Sequence, residues 1–374
     1  MTLIAVPLTF AAVLVAFVNG ANDNFKGVAT LHGSGTLGYR TALAWATVTT
    51  LGGSFGAALL SGSLVARFSG KGLVDAAVAA DPVFLLAVAG GAAGTVLLAT
   101  RLGFPISTTH ALTGALVGAG VVVAGPGQVA YGTLGRAFAL PLLASPLVSM
   151  ALTAALYASL RRARWGLGIT EDDCVCVGEQ APLAAAVYGG RSILVGGGPG
   201  ITLDRIHRCE RRYTGAAFGI RVQAALNGLH VLSGGAVGFA RGLNDTPKIL
   251  ALLVSARAVG LHDGLGLLAL AMAAGGLLGA RRVARTMAFG ITGMNHGQGF
   301  TANLVTAALV TLASRLALPV STTHVSCGAL FGIGVVNGEA RWRTVAQVLT
   351  AWVTTLPVAA TLAAALAGLA PFWM

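Results

Sequence analysis

The sequence predicts an all-α integral membrane protein: two inverted repeats of about five transmembrane helices each, with half-helices or re-entrant segments between them. Three observations lead there. Of 374 residues, 55% are hydrophobic and only 10% are charged, with a mean hydropathy of +0.80. A soluble domain carries roughly a quarter charged residues, so this chain cannot cover a water-facing surface of its own size. The apolar residues fall in runs of spanning length. Two short polar motifs each occur twice, in the same order. The 53 glycines fit the same class, because small residues let membrane helices approach closely.

A span needs about 20 apolar residues. The first run, near 3–21, has no basic leader and no clear small-residue cleavage site, so it reads as a helix rather than a signal peptide. Runs near 41–64, 82–101, 104–124 and 134–160 follow. A second set lies near 217–240, 263–280, 297–316, 317–337 and 345–371. Apolar pieces at 24–36 and 246–260 are too short to span and read as half-helices. The chain thus divides into a first membrane repeat at 1–160, a polar loop at 161–213 and a second membrane repeat at 214–374.

The polar loop carries Arg161, Arg162, Arg164, Arg191, Arg205, Arg208, Arg211 and Arg212. The positive-inside rule places it in the cytoplasm of a multi-pass protein of a prokaryotic-type plasma (inner) membrane, with the N-terminus outside. A loop or short helices are expected there. The net charge of +12 is then a topology signal. The basic loop lacks interleaved aromatics, which argues against nucleic acid as a partner.

The halves repeat each other. Asn22-Asp23-Asn24-Phe25-Lys26 matches Asn244-Asp245-Thr246-Pro247-Lys248, 222 residues on. Pro105-Ile106-Ser107-Thr108-Thr109-His110 matches Pro319-Val320-Ser321-Thr322-Thr323-His324, 214 residues on. An odd number of spans per half inverts the second copy, and inverted repeats with a site at the midplane mark secondary transporters.

In the first motif, Asp and Lys three apart share a helical face and form a self-neutralising pair. Each costs roughly 2.5–3.5 kcal/mol at the bilayer centre, and Lys26 and Lys248 are two of only three lysines in the chain. A buried ion pair that merely joins helices is the plain reading of one copy; two copies in a duplicated frame point to function. Gly20, Gly27, Gly242 and Pro247 suggest that both helices are interrupted here.

In the second motif, Pro suits the first helical turn and Ser or Thr caps it. Each copy therefore reads as a helix start inside an apolar region, whose positive end binds anions. Hydroxyls that only back-bond to carbonyls are the plain alternative. His110 and His324 follow the hydroxyls and can bond a ligand, relay protons or serve structure. Cys174, Cys176, His207 and Cys209 in the polar loop form a candidate zinc set, with free thiols the alternative. No nucleotide-binding loop, zinc-protease motif or nucleophile elbow occurs, and no activated nucleophile is recognisable, so an enzyme is not expected. Polar residues cluster at two motifs rather than lining a continuous pore, which argues against a channel.

Gly20-Ala21-Asn22-Asp23, its repeat Gly242-Leu243-Asn244-Asp245, and the paired Pro-x-Ser-Thr-Thr-His segments resemble the inorganic phosphate transporter (PiT) family. The resemblance covers both halves and leaves out the polar loop. It implies a homodimeric symporter of inorganic phosphate with H⁺ or Na⁺ as coupling cation, needing no cofactor. By this resemblance Ser107, Thr108, Thr109, Ser321, Thr322 and Thr323 bind phosphate. Asn22, Asp23, Asn244 and Asp245 bind the coupling cation or gate the site. Sodium-coupled members of the family read Asn where Lys26 and Lys248 stand here. The lysines are therefore expected to face the anion in place of bound cations, which disfavours Na⁺. A sulfate or other tetrahedral-oxyanion permease is the alternative; phosphate can donate a hydrogen bond to an aspartate and sulfate cannot.

Overall fold

The computed structural model describes residues 5–60, 62–70, 72–169, 173–179, 183–188, 191–195, 199–205, 218–255 and 259–372. The chain divides into two compact units, Met1–Tyr157 with Val231–Met374, and Ala158–His230. The larger unit is a helical bundle. In chain order its helices are α1 (Ala5–Asp23), α2 (Ala29–Gly33), α3 (Tyr39–Leu60), α4 (Gly62–Phe68), α5 (Ala76–Ala79), α6 (Pro82–Leu102) and α7 (Thr108–Val123). The long α8 (Tyr131–Gly166) includes a π-helical stretch at Leu134–Ala139. After the polar insertion come α9 (Val222–Ser255), α10 (Leu261–Gly279), α11 (Arg281–Arg285), α12 (His296–Arg315), α13 (Thr322–Asn337) and α14 (Trp342–Gly368).

Five of these helices, α1, α6, α8, α10 and α14, are long and apolar enough to cross a membrane. Their outer faces suit one: Phe10, Leu143, Leu278 and Val353 are 67–79% exposed. Large apolar side chains turned outward in such numbers need hydrocarbon as solvent. The inside is apolar around the polar centre, with Leu8, Val88, Leu116 and Leu268 in one cluster and Leu31, Met287 and Leu330 in another.

Local sequence explains how the chain doubles back. Asp81 caps α6 by accepting from the amides of Val83 and Phe84 at 2.8 and 3.1 Å, and Pro82 opens the helix. Gly103 ends α6 in the left-handed region, with φ 78°. The Phe104 amide then donates to the Ala99 carbonyl at 2.9 Å, a Schellman-type closure. The same closure follows α12: Ala317 has φ 53°, and the Leu318 amide donates to the Ala313 carbonyl at 2.8 Å. Each helix is followed by an extended stretch, and Pro105 and Pro319 keep the residue before them out of the helix.

The expected spans at 104–124 and 317–337 are therefore not spans: each is this extended stretch plus a 16-residue helix, α7 or α13. Both half-helices carry a Gly-x-x-x-Gly pair at the same place in the repeat. A Cβ at Gly114 or Gly118 would overlap the backbone of Leu356 and Ala360 on α14, and one at Gly328 or Gly332 that of Pro146 and Met150 on α8.

Two expectations are corrected. The first motif interrupts its helix, with turns from Asn24 to Val28 between α1 and α2. The second does not: α9 runs 34 residues through Pro247, so 246–260 is no separate half-helix. Membrane helices tolerate such a proline because neighbours re-satisfy the freed backbone groups. The polar insertion holds strands rather than a plain loop or short helices. Here β1 (Asp173–Glu179) pairs antiparallel with both β4 (Pro199–Arg205) and β5 (Phe218–Arg221), while β2 (Leu183–Tyr188) pairs with β3 (Arg191–Val195).

The left-handed residues make a matched test. Gly103→Ala puts a Cβ where φ is positive and should cost about 1 kcal/mol, lowering the thermal midpoint. Ala317→Gly relieves the same strain and should leave the midpoint unchanged or raise it. Thermal unfolding in detergent reads both.

Candidate functional site

The two extended stretches form the heart of the site. Out of the helix, their carbonyls have no i+4 amide to serve, so they are free for other donors. Lys26 and Lys248 take them. The Lys26 ammonium donates to the Ile106 carbonyl at 2.8 Å, to Asn22 Oδ1 at 3.1 Å, to Asp23 and to Thr323. The Lys248 ammonium donates to the Val320 carbonyl at 2.8 Å, to Thr109 Oγ1 at 2.8 Å and to Asp245 Oδ1 at 3.5 Å. Each lysine thus uses a carbonyl from its own half and a hydroxyl from the other. The hydroxyls repeat the exchange: Thr323 donates to the Ile106 carbonyl at 2.7 Å and Thr109 to the Val320 carbonyl at 3.4 Å.

The aspartates sit between. Asp23 Oδ2 lies 3.5 Å from the Thr108 hydroxyl, and Asp245 Oδ2 lies 3.4 Å from that of Thr322. Asn22 accepts from the Ile106 amide at 3.1 Å and donates to Thr100 at 2.9 Å. Asn244 donates to the Val320 carbonyl at 3.3 Å and accepts from Ser314 at 3.2 Å. Ser107 and Ser321 serve as N-caps of α7 and α13, accepting from the amides of His110 and His324 at 3.0 and 3.1 Å. None of these twelve residues is more than 4% exposed, so the cluster is closed to solvent.

Four participants were not singled out from the sequence: Thr100, Ser314, Asn19 and Arg241. Arg241, 1% exposed, lies one turn before Asp245, with Nε 3.7 Å from Asp245 Oδ2. Its Nη2 donates to Asn19 Oδ1 at 2.6 Å and its Nη1 to Asn24 Oδ1 at 3.1 Å. The Asn19 amide in turn donates to Thr108 at 2.9 Å, Asp23 at 3.2 Å and Asp245 at 3.5 Å. The signal was present: Arg241 is Asn19 shifted by the same 222 residues as the motif. Three cations now face two carboxylates, a formal excess of one positive charge suited to an anion.

The histidines lie to one side. The rings of His110 and His324 are 4.5 Å apart, and His324 lies 3.9 Å from the ring of Trp352. His324 Nδ1 meets the Leu142 carbonyl at 3.2 Å, while among the described residues His110 Nδ1 and His324 Nε2 have no hydrogen-bond partner. Both rings line an apolar cavity of about 610 Å³ with Pro146, Met150 and Phe331, and neither ring is bonded to the lysine–aspartate cluster. Of the candidate zinc set, Cys174 and Cys176 lie on β1, and His207 and Cys209 fall outside the described residues. No group of metal-ligating residues occurs among the described residues.

An occluded, duplicated, positively biased polar cluster inside an apolar helical bundle defines a membrane transporter for an anion. Residues 19–363 match the phosphate transporter family, and the chain belongs to it. An inorganic phosphate transporter of Arabidopsis thaliana chloroplasts is 29% identical, over 95% of this chain and 71% of that protein. A protein of Pyrococcus abyssi named as a phosphate permease is 28% identical over 94% of both chains. A solved sodium-dependent phosphate transporter has the same fold, with a TM-score of 0.77 and 20% identity over the full length of both.

Removing Arg241 takes one of two cationic partners from Asp245 and the donors from Asn19 and Asn24. Arg241→Met is expected to destabilise by about 1–3 kcal/mol, the cost of buried acceptors left without their donor. Adding Asp245→Asn to it should cost less than Asp245→Asn alone, and a double-mutant cycle on thermal stability measures the coupling.

Proposed function

We propose that this phosphate transporter binds its substrate at the buried cluster and is driven by protons, with Lys26 and Lys248 in the places of coupling sodium ions. The single observation that carries this is the environment of the ammonium groups. Lys26 is surrounded by a backbone carbonyl, a carboxylate, an amide oxygen and a hydroxyl. Lys248 has a carbonyl, a carboxylate and a hydroxyl. All-oxygen shells of this kind suit an alkali cation; here a tethered cation fills them.

Phosphate enters between the starts of α7 and α13, where helix N-termini and the hydroxyls of Thr108, Thr109, Thr322 and Thr323 supply donors. The ammonium groups turn from Asp23 and Asp245 towards the anion. A carboxylate left without its cation in a dry site is costly as an anion, so it takes a proton from solvent and carries it with the substrate. Release returns the proton and restores the ion pair. The paired crossing of lysines between halves supports an inverted repeat whose halves move past each other. Arg40, Arg281, Arg285, Arg341 and Arg343 favour a cytoplasmic location for their end of the bundle. A sulfate permease is disfavoured by the family.

Radiolabelled phosphate uptake into proteoliposomes tests this. A pH gradient without Na⁺ should drive accumulation, arsenate should compete and sulfate should not. Asp245→Asn should abolish proton-driven accumulation. Accumulation driven by a Na⁺ gradient alone, with none from a pH gradient, would overturn the proposal.

A further inference from the structure

A second charged site lies apart from the buried cluster. His32, Tyr39, Arg40, Arg281, Arg285 and Phe289 line a cleft of about 400 Å³, the size of a small-molecule pocket. Arg281 and Arg285 are four apart on α11 and share its face, while Arg282 between them is engaged elsewhere, donating to the Arg101 carbonyl. Arg40 reaches the same cleft from the start of α3. Among the described residues, none of these three guanidinium groups pairs with a carboxylate. Three like charges held around one cleft repel each other unless an anion joins them.

The walls are built rather than incidental. The ring of Tyr39 stacks on buried Phe25 at 5.0 Å, and His32 meets Phe289 edge-on at 5.0 Å. The cleft sits at an end of the bundle, where α3 begins and α10 has just ended. Phe289, 44% exposed, gives it an apolar lip. Guanidinium forks match phosphate oxygens, and basic pockets between membrane helices receive lipid headgroups. The apolar lip selects a lipid over a free ion. We propose that this cleft binds the phosphate of an anionic phospholipid headgroup, with an acyl chain lying along the Phe289 side.

Native mass spectrometry of the full-chain protein tests this, with phosphatidylglycerol and phosphatidylcholine of identical acyl chains as probes. Phosphatidylglycerol should bind at least about tenfold tighter. Arg281→Gln with Arg285→Gln should erase that preference while the thermal midpoint and basal phosphate uptake persist. Arg40→Gln, on another helix, should weaken it independently. Equal retention of both lipids by the unsubstituted protein, or an unchanged preference in both variants, overturns the proposal. So does displacement of phosphatidylglycerol by millimolar inorganic phosphate, which would assign the cleft to the free ion.

Discussion

Everything at the centre of this protein depends on two ammonium groups that must find oxygen partners away from bulk solvent. A bare charge in such a place costs several kcal/mol. Lys26 and Lys248 meet the demand by reaching across, each to a carbonyl of its own half and a hydroxyl of the other. The carbonyls are available only because Pro105 and Pro319 hold their segments extended, and those segments exist only because α6 and α12 end in left-handed turns. The Gly-x-x-x-Gly pairs then press α7 and α13 against α14 and α8, fixing where the hydroxyls stand. Site and fold are one arrangement seen at two scales.

The duplication is not perfect, and its departures are informative. Asn19 in one half corresponds to Arg241 in the other. The arginine supplies the third cation and spans from Asp245 to Asn19 and Asn24, and Asn19 in turn donates to Asp23. The first half breaks its helix at the motif, whereas the second runs through Pro247.

Much of this was legible in the sequence. Charge scarcity named the solvent, and the repeated motifs picked out the twelve residues that the structure brings together. A helix start capped by Ser or Thr was readable in each Pro-x-Ser-Thr-Thr-His copy; the structure gives the cap to Ser107 and Ser321 and leaves Pro105 and Pro319 before the helix rather than in its first turn. Arg241 was hidden because a single arginine in an apolar run looks like a topology signal; only alignment with Asn19 separates it from the other arginines. Pro247 misled because a helix break is read from local propensity, while packing decides whether the helix continues. The strands of the insertion escaped because a polar, Gly-rich stretch has no strong period of its own.

The most direct measurement is equilibrium phosphate binding to the purified protein by titration calorimetry, in choline buffer and in sodium buffer at one pH. If the lysines stand in for coupling cations, affinity is the same in both, and Lys26→Asn with Lys248→Asn makes binding depend on sodium. Phosphate binding by the unsubstituted protein that appears only when sodium is added would contradict the account.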